Sequence, residues 1–306
     1  FDIAVFTNLS RDHLDYHQTM ANYAQAKYQL FSQDANQVAV INGDDKQAQA
    51  WLKTWSHEQE IIVYGRTANI NQNKRFAQAI DIKHHQTGIS FKLKTEQAET
   101  TIDSPLLGNF NIDNLLAAIS VLIIQGITLN DIAQAITALS PIAGRMEMFI
   151  AQDKATAIVD YAHTPDALEK ALLACRQHCA GELWLVFGCG GDRDQGKRAQ
   201  MGKIAEQLSD HVIVTNDNPR SESPEHIAQD ILSGCQQTTK VTVLLERQQA
   251  VLSALTKAKS QDMVLLAGKG HEDYIIVGNN HIPYNERELV RSHFSNQPNS
   301  ANEAKS

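Results

Sequence analysis

Cysteine is scarce in this chain. Four occur in 306 residues, Cys175, Cys179, Cys189 and Cys235, and no pair has the pattern of a zinc site. Cys175 and Cys179 are one helical turn apart and read as a shared helix face. So few thiols exclude a disulfide-stapled secreted scaffold and fit a reducing cytoplasm. Excess positive charge is also lacking: 27 Lys and Arg against 35 Asp and Glu leave a net charge of -8. No basic field is present to attract nucleic acid. Long apolar runs are missing too. A stretch such as 117–124 is far shorter than the about 20 residues a membrane helix needs, so no membrane partner is expected. No signal peptide is visible. An initiating Met is lacking as well, and the chain opens inside an apolar stretch, Phe1-Asp2-Ile3-Ala4-Val5-Phe6. We expect the natural protein to begin upstream.

What is present is the composition of a folded protein, 42% hydrophobic and 20% charged, long enough for two domains. From residue 181 onward, apolar stretches at 183–187, 211–214, 241–245 and 263–267, with 157–159 upstream, alternate with segments of helical spacing. Those segments are 165–175, 197–208, 224–232 and 248–257. Thr164 and Ser223 stand as N-caps, each followed by a proline in the first turn. Continuous apolar strands alternating with helices predict a Rossmann-like α/β domain, its mostly parallel sheet covered on both faces. Residues 274–277 and 281–284 read as a closing hairpin around Gly278-Asn279-Asn280. The first half is less regular but also α/β. A strand ends near Asn8, a helix covers 20–31, strands lie at 38–41 and 61–64, and a hairpin turns at His85-Gln86-Thr87-Gly88. Helices follow at 111–125 and 129–139. The pattern resets at Pro141-Ile142-Ala143-Gly144-Arg145. Domains are therefore expected over 1–142 and 143–296, with a disordered polar tail at 297–306.

In parallel sheets, ligands bind beyond the carboxyl ends of the strands. Here those ends read Asp160-Tyr161-Ala162-His163, Gly188-Cys189-Gly190-Gly191-Asp192-Arg193, Asp217-Asn218-Pro219-Arg220 and Gly268-Lys269-Gly270-His271-Glu272. In the third, Asp217 and Asn218 offer polar partners for an ammonium. Arg220 offers a planar fork for a carboxylate, and Pro219 fixes the backbone between them. An amino acid carries both groups. The alternative is an Asx-type turn, with Arg220 a surface counter-ion to an acid such as Glu222. Gly191-Asp192-Arg193-Asp194-Gln195-Gly196-Lys197-Arg198 nearly matches a phosphate loop. Arg198 stands where a hydroxyl is required, however, and Asp192 and Asp194 would repel phosphate. Arg193 beside glycines suits a carboxylate better. In the first half, Asn8-Leu9-Ser10-Arg11-Asp12-His13-Leu14-Asp15-Tyr16-His17 gathers imidazoles and carboxylates of the kind that hold a divalent metal near phosphate, or that simply cap a loop. Lys27 downstream reads as a solvated helix lysine. It could serve a metal only if chemically converted, since an ammonium is no ligand. Asn111 and Asn114, after Gly108-Asn109-Phe110, could cap a helix or read a base edge. Gly144-Arg145-Met146-Glu147 puts a guanidinium at the expected boundary.

Taken in order, these motifs resemble those of the Mur ligases, ATP-dependent amide ligases of peptidoglycan synthesis, and within them the diaminopimelate-adding type. The resemblance covers nearly the whole chain. It implies a three-domain family plan of which this chain holds the last two domains. Residues 1–142 would be the later part of a central ATPase domain lacking the family's true phosphate loop, and 143–296 the amino-acid-binding domain. It also implies site residues. His13 matches a metal-binding histidine, and Lys27 the lysine that becomes a carbamate supporting Mg2+. Asn111, Asn114, Arg145, Asp160 and His163 match contacts to ATP. Arg193, Asp217, Asn218, Pro219, Arg220, Gly268 and Glu272 match the pocket for meso-2,6-diaminopimelate. Lysine-adding relatives differ at the position of Arg220, so this arginine is the expected reader of the extra carboxylate.

The reaction so implied is phosphoryl transfer from ATP to the D-glutamate γ-carboxylate of UDP-N-acetylmuramoyl-L-alanyl-D-glutamate, then attack on the acyl phosphate by an amine of diaminopimelate. Two other readings stand beside it. A folylpolyglutamate synthase-like ligase shares the architecture. A binding-only module would hold diaminopimelate without chemistry. Without a phosphate loop, the 306 residues alone are not expected to turn over ATP.

Overall fold

The computed structural model describes residues 1–9, 14–31, 38–56 and 59–295. It divides into two compact units, Phe1–Leu139 and Ser140–Ser306.

The first unit runs β1 (Ile3–Phe6), α1 (Leu14–His17), α2 (Met20–Tyr28), β2 (Val38–Asn42), α3 (Lys46–Lys53), β3 (Ile61–Gly65), β4 (Phe76–His85), β5 (Gly88–Thr95), β6 (Glu99–Ser104), α4 (Asn109–Ile124) and α5 (Leu129–Thr137). The strands form one six-stranded sheet in sequence order. The first four are parallel, and β5 and β6 continue antiparallel. One face buries Val40, Tyr64, Phe91 and Leu93 against Ile112, Leu116 and Ile119 of α4. The other buries Phe6, Phe31, Ile41 and Ala48, with Trp51 and Trp55 packed against them. Covering both faces is what lets β2 and β3 be apolar along their length. The sequence pattern had not indicated α3 or β6. In β6, ETTIDS, only Ile102 and Ser104 are buried, because an edge strand with one solvent face needs few apolar residues. α3 buries little beyond Ala48. Its start is fixed by Asp45, whose carboxylate accepts from the amides of Gln47 and Ala48.

The second unit contains β7 (Glu147–Phe149), β8 (Thr156–Asp160), α6 (Pro165–His178), β9 (Leu183–Phe187), α7 (Gly196–Leu208), β10 (His211–Val214), α8 (Pro224–Leu232), β11 (Val241–Val243), α9 (Arg247–Lys257), β12 (Met263–Ala267), the hairpin β13 (Tyr274–Val277) and β14 (Asn280–Pro283), and α10 (Glu286–Ser295). Its main sheet has the order β11-β10-β9-β12-β8-β7 and is parallel except for β7. Alternate strand residues go to opposite faces. Val159, Val186, Ile213, Val264 and Leu266 pack on Ala250, Val251, Ala254 and Leu255 of α9 and Val290 of α10. Each large side chain so buried contributes on the order of 1.5–3 kcal/mol. Thr164 and Ser223 cap α6 and α8, accepting from the amides of Ala167 and His226. The strand expected over 241–245 stops at Val243, and β7 and α10 were not foreseen. β7 is three residues long, too short for any periodicity to show.

Because β8, β9, β10 and β12 are parallel and in register, their carboxyl ends emerge at one edge. Phe187 stands opposite Val214, and Asp160 opposite Ala267. That edge carries the polar loops.

Candidate functional site

Beyond the strand ends of the second unit lies a cleft of about 380 Å³. Its walls include Tyr161, His163 and Thr164 after β8, Gly190, Arg193, Asp194 and Lys197 after β9, Asp217, Asn218 and Arg220 after β10, and Gly268 and Glu272 after β12. The loops approach too closely for side chains at two glycines. A Cβ on Gly188 would sit 2.2 Å from the Thr215 carbonyl, and one on Gly191 would sit 1.9 Å from that of Pro219. Pro219 does not line the cleft; its carbonyl accepts from the Glu222 amide.

Arg220 holds its backbone at φ +53°, in the left-handed region. The hairpin secures it there, since its amide donates to the Ile276 carbonyl and its own carbonyl accepts from Gly278. The guanidinium donates through Nη1 to the carbonyls of Gly191 (2.9 Å) and Asn218 (3.4 Å). Among the described residues no acid pairs with it. The surface pair with Glu222 that the sequence left open does not form. Glu222 instead embraces Arg198, Nη2 to Oε1 at 2.8 Å and Nη1 to Oε2 at 2.9 Å, and Asp230 joins at 2.8 Å. Arg198 is 1% exposed. Its hydrogen bonds hold the Glu222 carboxyl at about 2, well below the usual range. The residue that disqualified the phosphate-loop reading is thus a buried strut under the cleft.

Asn218 is committed internally. Its Oδ1 accepts from Lys269 Nζ (2.7 Å) and the Ile276 amide (2.9 Å), and its Nδ2 donates to Glu272 Oε2 (3.0 Å). It braces the loops, where the sequence reading had it meeting a ligand's ammonium. Lys269, which that reading passed over, is fully buried and lies 2.9 Å from Asp217 Oδ1 and 3.1 Å from Glu272 Oε2. Only its place between Gly268 and Gly270, both at positive φ, hints that the chain doubles back to bury it. Behind the same edge, Arg247 and Glu286 form a pair with no exposure. Burial opposes the Arg247 charge, Glu286 more than offsets that, and the guanidinium pKa is raised. Arg247 also donates to the carbonyls of Asn216 and Ala267, tying two strand ends together.

Arg193 is exposed and donates to the Asp192 carbonyl. Both Asp160 oxygens accept backbone amides, from Met146 (2.7 Å) and Ala162 (2.9 Å), so Asp160 shapes its loop. Arg145 lies over the Tyr161 ring at 4.5 Å. His163 Nδ1 is 2.8 Å from the Tyr161 carbonyl, and Lys197 donates to the His163 carbonyl. Cys189 is buried against Met201, and burial pushes its thiol up to about 12.

The matches to known proteins fall on both units. Residues 1–122 match the Mur ligase middle domain, and residues 144–270 match the Mur ligase glutamate ligase domain. The chain belongs to the Mur ligase family. A solved UDP-N-acetylmuramoyl-L-alanyl-D-glutamate–2,6-diaminopimelate ligase shares 38% identity with a TM-score of 0.73, over 96% of this chain and 60% of that one. MurF from Acinetobacter baumannii shares 18% at a TM-score of 0.65, over 96% and 60%. Folylpolyglutamate synthase from Thermotoga maritima shares 17% at 0.63, over 87% and 57%. The last two likenesses are of fold alone. The chain spans about 60% of the length of such relatives.

In the Mur ligase middle domain, Lys27 Nζ donates to the Asn8 carbonyl at 3.3 Å and lies 4.9 Å from the centre of the Tyr23 ring. His13 lies outside the described residues. Among those described, no three His, Cys, Asp or Glu side chains gather as a metal site. Asn111 donates to the Leu107 carbonyl and receives Asn114 at 3.4 Å. Neither amide caps α4, whose N-cap is Gly108 at φ +83°. Among the described residues, no helix is long and apolar enough to cross a membrane.

Proposed function

We propose that this chain carries the amino-acid-binding and part of the nucleotide-binding machinery of an ATP-dependent amide ligase of peptidoglycan synthesis. It would join meso-2,6-diaminopimelate to UDP-N-acetylmuramoyl-L-alanyl-D-glutamate. The observation that supports this best is the charge layout of the cleft. Arg220 has no acidic partner among the described residues, and Arg193 stands on the neighbouring loop. Asp217 and Glu272 supply carboxylates from the other strand ends. Asp217 Oδ2 and Glu272 Oε1 are the oxygens not drawn toward Lys269, and they remain for a ligand's ammonium. One ammonium–carboxylate end of diaminopimelate would be fixed there. Its other end would keep an amine free to attack.

In the reaction so proposed, the D-glutamate γ-carboxylate takes the γ-phosphoryl group of ATP, releasing ADP. The amine adds to the acyl carbon, the C–O bond to phosphate breaks, and the ammonium proton is lost to solvent. Most of what the protein does in such chemistry is position and neutralise. ATP would draw on Asn111, Asn114, Arg145, Asp160 and His163. In this reading Lys27, as a carbamate, and His13 would hold Mg2+, which neutralises phosphate charge when bound. A folate ligand is supported only by shared fold. A cleft lined by Arg193, Lys197 and Arg220 together with Asp194, Asp217 and Glu272 favours a ligand of several charges.

Calorimetric titration of the 306-residue chain with meso-diaminopimelate and with L-lysine tests the reading. Removing a desolvated carboxylate partner costs about 2–5 kcal/mol, tens to thousands in affinity. Arg220→Ala should therefore weaken meso-diaminopimelate by that factor and leave L-lysine nearly unchanged. An Arg220→Ala protein keeping the wild-type preference would move the carboxylate elsewhere, to Arg193 first.

A further inference from the structure

Lys269 is a buried charge at the edge of the cleft, held between two of its strand-end loops. Its side chain is fully buried. Nζ lies 2.7 Å from Asn218 Oδ1, 3.1 Å from Glu272 Oε2 and 3.0 Å from the Tyr274 carbonyl. Those three hydrogen bonds use all three N–H groups of an ammonium. Asp217 Oδ1, at 2.9 Å, is a fourth neighbour and makes no directed hydrogen bond. The two groups form an ion pair. A lysine serving only to tie loops together would be satisfied by the first three. The fourth brings a second carboxylate to the same cation.

We infer that Lys269 is a positioning and specificity-setting residue: its buried ammonium lets Asp217 and Glu272 stand together as carboxylates on one wall of the cleft. The inference rests on the cleft's taking an amino acid with an ammonium and a carboxylate at each end, and it adds a charge balance to that reading. Two carboxylates side by side without a cation repel one another and leave the wall too negative. With Lys269 beneath, the wall presents about one net negative charge. That suits a ligand end whose ammonium is accompanied by a carboxylate on Arg220. Without Lys269 the wall would favour a ligand of net positive charge. L-Lysine carries one positive charge more than meso-diaminopimelate, so the two ligands report the balance directly.

The test uses Lys269→Met, Glu272→Gln and the double variant, in the full chain. The first readout needs no ligand. Lys269→Met should lower the urea midpoint, and adding Glu272→Gln should recover part of that loss, because the second change removes the uncompensated charge. Losses that simply add would show that Lys269 does not neutralise this acid, and would overturn the inference. The second readout is selectivity. Lys269→Met should shift the preference between L-lysine and meso-diaminopimelate toward lysine by roughly tenfold or more, the effect of one unit charge across a few ångströms of protein. The double variant should return it toward wild type. A purely structural role would weaken both ligands together and leave the ratio unchanged, which also overturns the inference. If Lys269→Met does not fold, Glu272→Gln alone must shift the preference away from lysine, and an unshifted ratio there counts against it. Wild-type protein that binds neither amino acid would sink the proposed function while leaving the midpoint comparison intact.

Discussion

At the scale of single residues, the site depends on atoms that are not there. Gly191 lets the loop after β9 lie against the loop after β10. A methyl group there would stand 1.9 Å from the Pro219 carbonyl, a backbone atom that cannot rotate away. Gly191→Ala should cost about 1–3 kcal/mol in a denaturant melt, as overpacking does, and should weaken diaminopimelate binding by moving Arg193 relative to Arg220. Gly196→Ala is the control. Among the described residues its one close neighbour is the Asp194 carboxylate at 3.2 Å, a side chain that can turn aside, and the position opens α7. There the change should be neutral or stabilising by up to about 1 kcal/mol. Equal losses at both positions would mean that helix propensity or chain entropy, and not the close approach, governs this loop.

At the scale of elements, α7 is fastened to the loop after β10 by Arg198 and Glu222. The hydrogen bond from Arg198 holds the Glu222 carboxyl at about 2, against an ordinary 4.5. A depressed carboxylate contributes stability that is fully present above its unfolded value and lost as pH falls toward its folded one. The difference in urea midpoint between wild type and Glu222→Gln should therefore be constant from neutral pH down to about 5, then shrink as pH falls toward 2. A difference that stays constant across that window would show that the ion pair carries none of the acid sensitivity. The elements also differ in how legible they were. β9, β10 and β12 lie at 183–187, 211–214 and 263–267 as the apolar runs predict, because a strand buried on both faces must be apolar throughout. β6 and β7 left no such trace, one having a solvent face and the other only three residues.

At the scale of the whole molecule, each of the two units has its own sheet and its own buried core. A segment with a complete core is expected to fold alone. Residues 140–306 expressed by themselves should give a single cooperative thermal transition with native near-ultraviolet dichroism. A broad transition without fixed aromatic signals would show that the second unit needs the first.

The sequence by itself determined that the chain is α/β, where its buried strands lie, and which polar strings follow them. Those depend on local periodicity and on turn residues, which are written along the chain. It also carried the motifs by which the Mur ligase likeness was seen. Only the tertiary structure decided what each polar group does. Arg198, Asn218 and Asp160 look as available for a ligand as Arg220, yet their hydrogen bonds are spent on the protein. Lys269 reads as one more loop lysine until the strand ends of β10 and β12 bring Asp217 and Glu272 to it. Partners at sequence separations such as that of Asn218 and Lys269 are chosen by strand order, and strand order is a property of the packed sheet, not of any window of residues.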